Sequence, residues 1–322
     1  MPVIEVEDLR RSYRTRTGIR RGSGRDVEAV QGISFQVERG ELFGLLGPNG
    51  AGKTTTIKIL ITLLLPTGGT ARVLGRDVVH DAREVRKRIG YVFGGDKGLY
   101  ERLSALDNLR FFSELYGVPA REQKQRIGSL LELVGLTGRQ DERVEGFSRG
   151  MRQRLHIARG LLHQPEVLFL DEPSIGIDPV GARELRDTVA GLVRQGTTVL
   201  LTTHYMFEAD ELCDRIAVIA GGRIVADGTP AELKSRVTAG HVVEVEVFGG
   251  ADERLAALRA LPGVSSVVVE DSGHAQLVVV RADATALVTP AVLGCLDGVP
   301  LGRVATREPT LEDAYVELVR GS

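Results

Sequence analysis

Residues 47–55 read Gly-Pro-Asn-Gly-Ala-Gly-Lys-Thr-Thr, a full match to G-x-x-x-x-G-K-[ST]. The stretch follows the apolar run Leu42–Leu46 and opens a helical pattern over Thr54–Leu64 that Pro66 stops. A glycine-rich turn between strand and helix lets backbone N–H groups turn inward around phosphate oxygens. The helix N-terminus adds a partial positive charge, and the Lys53 ammonium adds a full one. The Thr54 hydroxyl is a fitting ligand for a magnesium ion. Gly47, Pro48, Asn49, Gly50, Ala51, Gly52, Lys53, Thr54 and Thr55 are therefore candidate phosphate-binding residues.

Two further runs, Val167–Leu170 and Thr198–Thr203, are mostly apolar, as parallel strands buried on both faces are. They alternate with helical patterns, so the first part is expected to be an α/β sheet domain. A helical subdomain is expected at about 95–165, with residues 105–165 mainly helical. In an open sheet, ligands gather at the carboxyl ends of strands. Asp171 and Glu172 follow Val167–Leu170 directly. One carboxylate there can hold Mg²⁺ and the next can take a proton from an attacking water. His204 ends Thr198–Thr203 and could hydrogen-bond a terminal phosphate. In FSRGMRQR (Phe147–Arg154), Ser148 can cap a helix with Met151, Leu155, Ala158 and Leu162 on its inward face. Each feature has a plainer reading beside this one: a solvated turn, a surface histidine, a capped helix that binds nothing.

Over 322 residues, Lys plus Arg is 41 and Asp plus Glu is 43, so no basic excess points to nucleic acid. Apolar residues at 43% and charged residues at 26% exclude disordered and fibrous classes. The longest apolar run, Ile216–Ala220, falls far short of the ~20 residues a spanning helix needs. The start, MPVIEVEDLRR, lacks a signal-peptide pattern, so the chain is expected to stay in the cytosol. Cys213 and Cys295 are too few for a disulfide framework or a zinc site. Residues 238–322 hold 6 Arg, no Lys and 12 acidic residues, whereas residues 1–237 hold 35 basic and 31 acidic. The boundary is therefore expected at Thr238–Gly240, giving domains 1–237 and 238–322. The second part reads βαββαβ, with strands near Val242–Phe248, Val264–Glu270, Gln276–Val280 and Leu301–Thr306. Its helices fall near Asp252–Leu261 and Thr285–Leu296, and a last helix spans Leu311–Val319. That order predicts a small ferredoxin-like α+β unit.

Taken together, GPNGAGKTT, FSRGM, LFLDEP, IGID and TTH resemble the ATP-binding subunit of an ABC transporter, in that family's order and spacing over about 200 residues. The C-terminal REPTLEDAYVELV is similar to the tail of the drug-exporter branch, the daunorubicin/doxorubicin-resistance type. The resemblance implies a P-loop ATPase fold, ATP and Mg²⁺ as cofactors, and hydrolysis to ADP and phosphate. It implies that Lys53 and the amides of Gly50–Thr55 hold the β- and γ-phosphates. Thr54 and Asp171 would hold Mg²⁺, Glu172 would polarise the attacking water, and His204 would sense the γ-phosphate. Ser148, Arg149 and Gly150 would reach nucleotide on the other subunit, and Asp178 in IGID would link the two sites. Tyr13 stands where the family stacks an aromatic ring on adenine. One phosphate loop and one signature per chain imply a homodimer. The resemblance also implies a separate integral membrane permease and a place at the cytoplasmic face of the membrane, with no nucleic acid.

Two features depart from the pattern. Arg10, Arg11, Arg14, Arg16, Arg20, Arg21 and Arg25 crowd a stretch without an acid, read as a solvated loop or as a contact for nucleotide or anionic lipid. Gly94–Gly95 stand where the family carries a glutamine, and they are expected to leave room for Asp96 or a water in its place. The missing glutamine suggests an alternative: a nucleotide-gated binding module with little hydrolysis. A non-transport ABC ATPase acting on DNA or ribosomes is disfavoured, since no long coiled coil and no second cassette are present. No N-K-x-D points to GTP, and no C-x-x-C in the second part points to metal capture. Tyr100, Phe111, Phe112 and Tyr116 are the expected groove for a membrane-subunit helix.

Overall fold

The computed structural model describes residues 2–16, 24–95, 98–236, 240–249, 251–283 and 288–320. It divides into two compact units, Met1–Thr229 and Pro230–Ser322.

The first unit carries strands β1 (Pro2–Arg16), β2 (Gly24–Glu38), β3 (Leu42–Leu46), β4 (Gly68–Val73), β5 (Arg76–Asp77) and β6 (Ile89–Phe93). It continues with β7 (Val167–Asp171), β8 (Thr198–Thr203), β9 (Arg215–Ala220) and β10 (Arg223–Gly228). One sheet is antiparallel, ordered β2-β1-β4-β5. The other is ordered β10-β9-β3-β8-β7-β6 and is parallel except at its β10 edge. Every residue of β3, β7 and β8 is buried, as unbroken apolar runs in a covered parallel sheet must be. The two sheets share one core, in which Phe35 of β2 stacks on Phe43 of β3 at 5.2 Å.

Among the described residues, seven α-helices join these strands: α1 (Lys53–Leu60), α2 (Ala82–Arg86), α3 (Ala105–Leu115), α4 (Ala120–Leu133), α5 (Arg149–Leu161), α6 (Pro179–Arg194) and α7 (Met206–Leu212). The first ends sooner than its apolar pattern predicts. Thr62 adopts φ 65°, and Leu63 N–H returns to the Lys58 oxygen at 2.8 Å, which closes α1 with a Schellman motif. Ser148 caps α5, accepting from Met151 N–H at 3.2 Å, as its sequence predicts.

The second unit holds α8 (Pro230–Arg236), β11 (Gly240–Val247), α9 (Ala251–Arg259), β12 (Val264–Ser272), β13 (Ala275–Asp283), α10 (Val288–Cys295), β14 (Leu301–Arg307) and α11 (Leu311–Arg320). Its antiparallel sheet runs β12-β13-β11-β14. Alternate residues Val243, Val245 and Val247 pack with Val278, Val280, Leu258 and Val292. The division precedes the charge break because α8 packs on α11 and so goes with the second unit. Residues 237–239, which cover most of the predicted boundary, lie outside the described residues.

An ionic clamp fixes α11. The buried Asp313 carboxylate accepts from Arg281 Nη2 and Arg307 Nη1, each at 2.6 Å, and from the Thr310 N–H at 2.9 Å. Burial pushes this carboxyl up, but the bonds from Arg307, Thr310 and Arg281 outweigh it and hold it well below the usual carboxylate range.

Candidate functional site

The parallel register sets the ends of four strands side by side. Leu46 pairs with Thr203, Asp171 with Thr202, and Phe93 with Asp171. The segments that leave these strands therefore meet at one sheet edge. After β3 the phosphate loop turns into α1, and Gly52 takes φ 111° there. A Cβ on Gly52 would stand 2.5 Å from the Ala29 carbonyl of β2, so both backbone shape and space require glycine. The loop is braced from behind: Gly222 N–H donates to the Ala51 oxygen at 3.1 Å, and Gln31 N–H donates to the Gly222 oxygen at 2.8 Å.

Lys53 is buried at 4% exposure. Its ammonium donates to the Gly47 and Pro48 carbonyls at 2.6 and 3.1 Å and lies 3.2 Å from Glu172 Oε1. Thr54 Oγ1 donates to Asp171 Oδ1 at 3.1 Å, and Thr202 Oγ1 donates to the same oxygen at 2.5 Å. Two oxygen donors, Thr54 and Asp171, thus converge as a hard cation requires. Among the described residues no cluster of three or more His, Cys, Asp or Glu side chains could hold a metal unaided. A cation here would need substrate oxygens as well.

Glu172 is bent back over the loop at φ 50°, in the left-handed region that costs a non-glycine residue about 1–2 kcal/mol. Its N–H donates to both the oxygen and the hydroxyl of Thr202, at 3.0 and 3.1 Å, which holds it there. Its Oε2 lies 3.3 Å from His204 Nδ1. A carboxylate, an imidazole and an ammonium so placed can orient a water toward a phosphate and take its proton. A cavity of about 360 Å³ opens beside them, lined by Ala29, Asn49, Gly50, Gly52, Lys53, Thr54, Thr55 and Glu172.

Other sequence-predicted residues lie elsewhere. Tyr13 does not line this cavity. It sits on β1 opposite Val27, with the Arg11 guanidinium 4.7 Å from its ring. Ser148 and Arg149 are exposed, while Gly150 packs against Gly181 and Ile177. Arg149 Nη1 reaches the Gly176 carbonyl at 3.4 Å. Asp178 caps α6, accepting from Val180 and Gly181 N–H at 3.1 and 3.0 Å. These residues form a second surface on the same chain. The arginine-rich stretch is not one solvated loop: Arg10, Arg11, Arg14 and Arg16 lie on β1 and Arg25 on β2, while Arg20 and Arg21 lie outside the described residues.

The expected room at Gly94–Gly95 is present only in part. A Cβ on Gly94 would strike the Glu172 carbonyl, and only Gly95, at φ 106°, faces open space. Asp96 lies outside the described residues. Sequence reasoning missed Thr202 and Ala29. The hydroxyl of Thr202 is hidden in a strand, and Ala29 contributes only backbone and small size.

Residues 30–175 match the ABC transporter family model. The chain is 42% identical to daunorubicin resistance ATP-binding protein DrrA3 of Streptomyces coeruleorubidus, over 91% of this chain and 92% of that one. It is 38% identical to linearmycin resistance ATP-binding protein LnrL of Bacillus subtilis, over 84% and 83%. Among solved structures, CbiO1 of Clostridium perfringens, part of an ABC transporter complex, superposes with a TM-score of 0.64 at 27% identity, over 73% of this chain and 91% of that one. With a phosphate loop, paired carboxylates and a histidine at one sheet edge, this chain belongs to the ABC transporter ATP-binding proteins, in the branch of the drug-resistance ATPases, and hydrolyses ATP.

Proposed function

We propose that this chain drives export as a homodimer beneath a separate integral membrane permease, on the cytoplasmic face of the membrane. The observation that carries the reading is one connected group at the sheet edge: Lys53, Thr54 and Glu172 line the cavity, with Asp171 bonded to Thr54 and His204 beside Glu172. Lys53 and the amides of the loop bind the β- and γ-phosphates. Thr54 and Asp171 hold Mg²⁺, which when bound neutralises phosphate charge. Glu172 takes a proton from the attacking water, and His204 contacts the γ-phosphate. Tyr13 stacks on adenine from the neighbouring sheet. Ser148, Arg149, Gly150 and Asp178 complete the site of the other subunit, which accords with the exposure of Ser148, Arg149 and Asp178.

The strand order of the second unit supports a ferredoxin-like domain, proposed as an accessory element in dimerisation. The permease docks on the aromatic strip of Tyr100, Phe111, Phe112 and Tyr116, whose rings succeed one another at 5.0–6.2 Å. Tyr100 and Phe111 are exposed, and a groove of about 550 Å³ adjoins Tyr116. No helix among the described residues is long and apolar enough to cross a membrane. The exported substrate is a drug or lipid-like molecule, by analogy with relatives named for daunorubicin and linearmycin resistance. The test is purification of the tagged chain from its native membranes in mild detergent, with doxorubicin efflux measured in the same cells. An integral membrane protein should accompany the chain, Phe111→Glu should release it, and Glu172→Gln should stop efflux. Recovery of the native chain wholly without a membrane partner counts against the reading.

A further inference from the structure

Glu208 is the third residue of α7 and only 3% exposed. A glutamate at that helical position ordinarily folds back on the amide of the capping residue. Here that amide, Tyr205 N–H, already donates to Thr203 Oγ1 at 3.0 Å. The Glu208 carboxylate instead accepts from Ser174 Oγ at 3.1 Å, in the loop after β7, and it also faces the side chain of Thr203, at the end of β8. Thr203 directly precedes His204, and Ser174 lies two residues beyond Glu172. One buried carboxylate therefore ties together the two turns whose side chains meet at 3.3 Å between His204 and Glu172. Arg186 and His204 are the basic groups that act on it, and Arg186 is itself held by Glu211 at 2.6 Å. Burial pushes the Glu208 carboxyl up, so keeping an acid here has a cost that plain packing would not require.

We propose that Glu208 is a positioning residue for ATP hydrolysis, setting the spacing of His204 and Glu172 through Thr203 and Ser174. The inference rests on the reading that Glu172 and His204 carry the chemistry. Neither Glu208 nor Ser174 lines the phosphate cavity, so nucleotide binding should survive their loss.

The test uses the full chain, with Mg-ATP hydrolysis followed by phosphate release and nucleotide affinity by displacement of a fluorescent ATP analogue. Glu208→Ala should lower kcat about tenfold, while KM and affinity stay within about twofold. Glu208→Gln keeps the shape and can still accept from Ser174, so it should retain about half of kcat. Ser174→Ala should lower kcat about threefold, and the double variant should be no slower than Glu208→Ala alone. If Glu208→Ala does not fold, Ser174→Ala and Thr203→Val carry the test. Wild-type kcat in Glu208→Ala, a parallel loss of nucleotide affinity, or a Gln variant as slow as the Ala variant each overturn the proposal. Glu172→Gln and His204→Ala run beside these. If they too hydrolyse normally, the reading of the site fails; if they are inactive and Glu208→Ala is not, only the positioning role fails.

Discussion

The N–H of Gly94 donates to the main-chain oxygen of Asp171 at 2.7 Å, and no side chain fits between the two strands at that point. The position where the family resemblance leads one to expect glutamine is thus closed at residue 94 and open at residue 95. Gly94→Gln should cost more than about 3 kcal/mol and depress folding and hydrolysis together. Gly95→Gln meets open space but must hold φ 106°, at a cost of about 1–2 kcal/mol, and should hydrolyse ATP within about threefold of wild type. Thermal melts and phosphate release on both variants decide this. A wild type inactive with its partner but switched on by Gly95→Gln would make the chain a nucleotide-gated module instead.

Replacing Glu172 by Gln removes the proton acceptor and keeps its shape. Hydrolysis should fall about 10²–10⁴-fold with ATP binding retained. More than half of the wild-type rate in that variant would remove Glu172 from the chemistry.

Lys53 and Ser148 test whether two chains share each site. In mixtures of Lys53→Ala and Ser148→Arg subunits, a heterodimer contains one doubly damaged site and one intact site. Mixed samples should therefore exceed either variant alone. A rate that never rises on mixing speaks against shared sites.

Asp313 gives the second unit a pH dependence. Its folded carboxyl releases its proton more readily than the unfolded chain's, so the stabilisation is complete above a pH of about 4. It fades as pH falls from there toward the folded value. Asp313→Asn leaves Arg281 and Arg307 without their shared anion and should destabilise the unit by about 3 kcal/mol at pH 7. The gap to wild type should narrow as pH falls from about 4 toward 2. Hydrogen exchange at α11 reads this out, and a pH-independent gap would exclude the clamp as its source.

The site was legible because the phosphate loop that carries Lys53, and Asp171, Glu172 and His204, each come at the end of an apolar strand, and a parallel sheet aligns such ends. The reading fails where a contact is made across strands. Nothing in TTH announces that the Thr202 hydroxyl lies beneath Asp171 rather than in plain packing. Gly94 is explained by a carbonyl seventy-eight residues along the chain, at Glu172. Asp178 reads as a link between subunits, yet within one chain its carboxylate is occupied in capping α6. Charge counting misplaced the boundary at 238 because α8 carries the first part's charge pattern but packs with the second unit.

The two-residue turn Gly221–Gly222 looks like a spacer between β9 and β10, yet it sits in series between Gln31 and Ala51. Its length therefore serves as a gauge block for the phosphate loop. Such a turn has no freedom to drift: a tag, a protease site or a single inserted residue there would be felt at the nucleotide, whereas among the described residues the outer ends of the β1–β2 ribbon have no such bond to the loop.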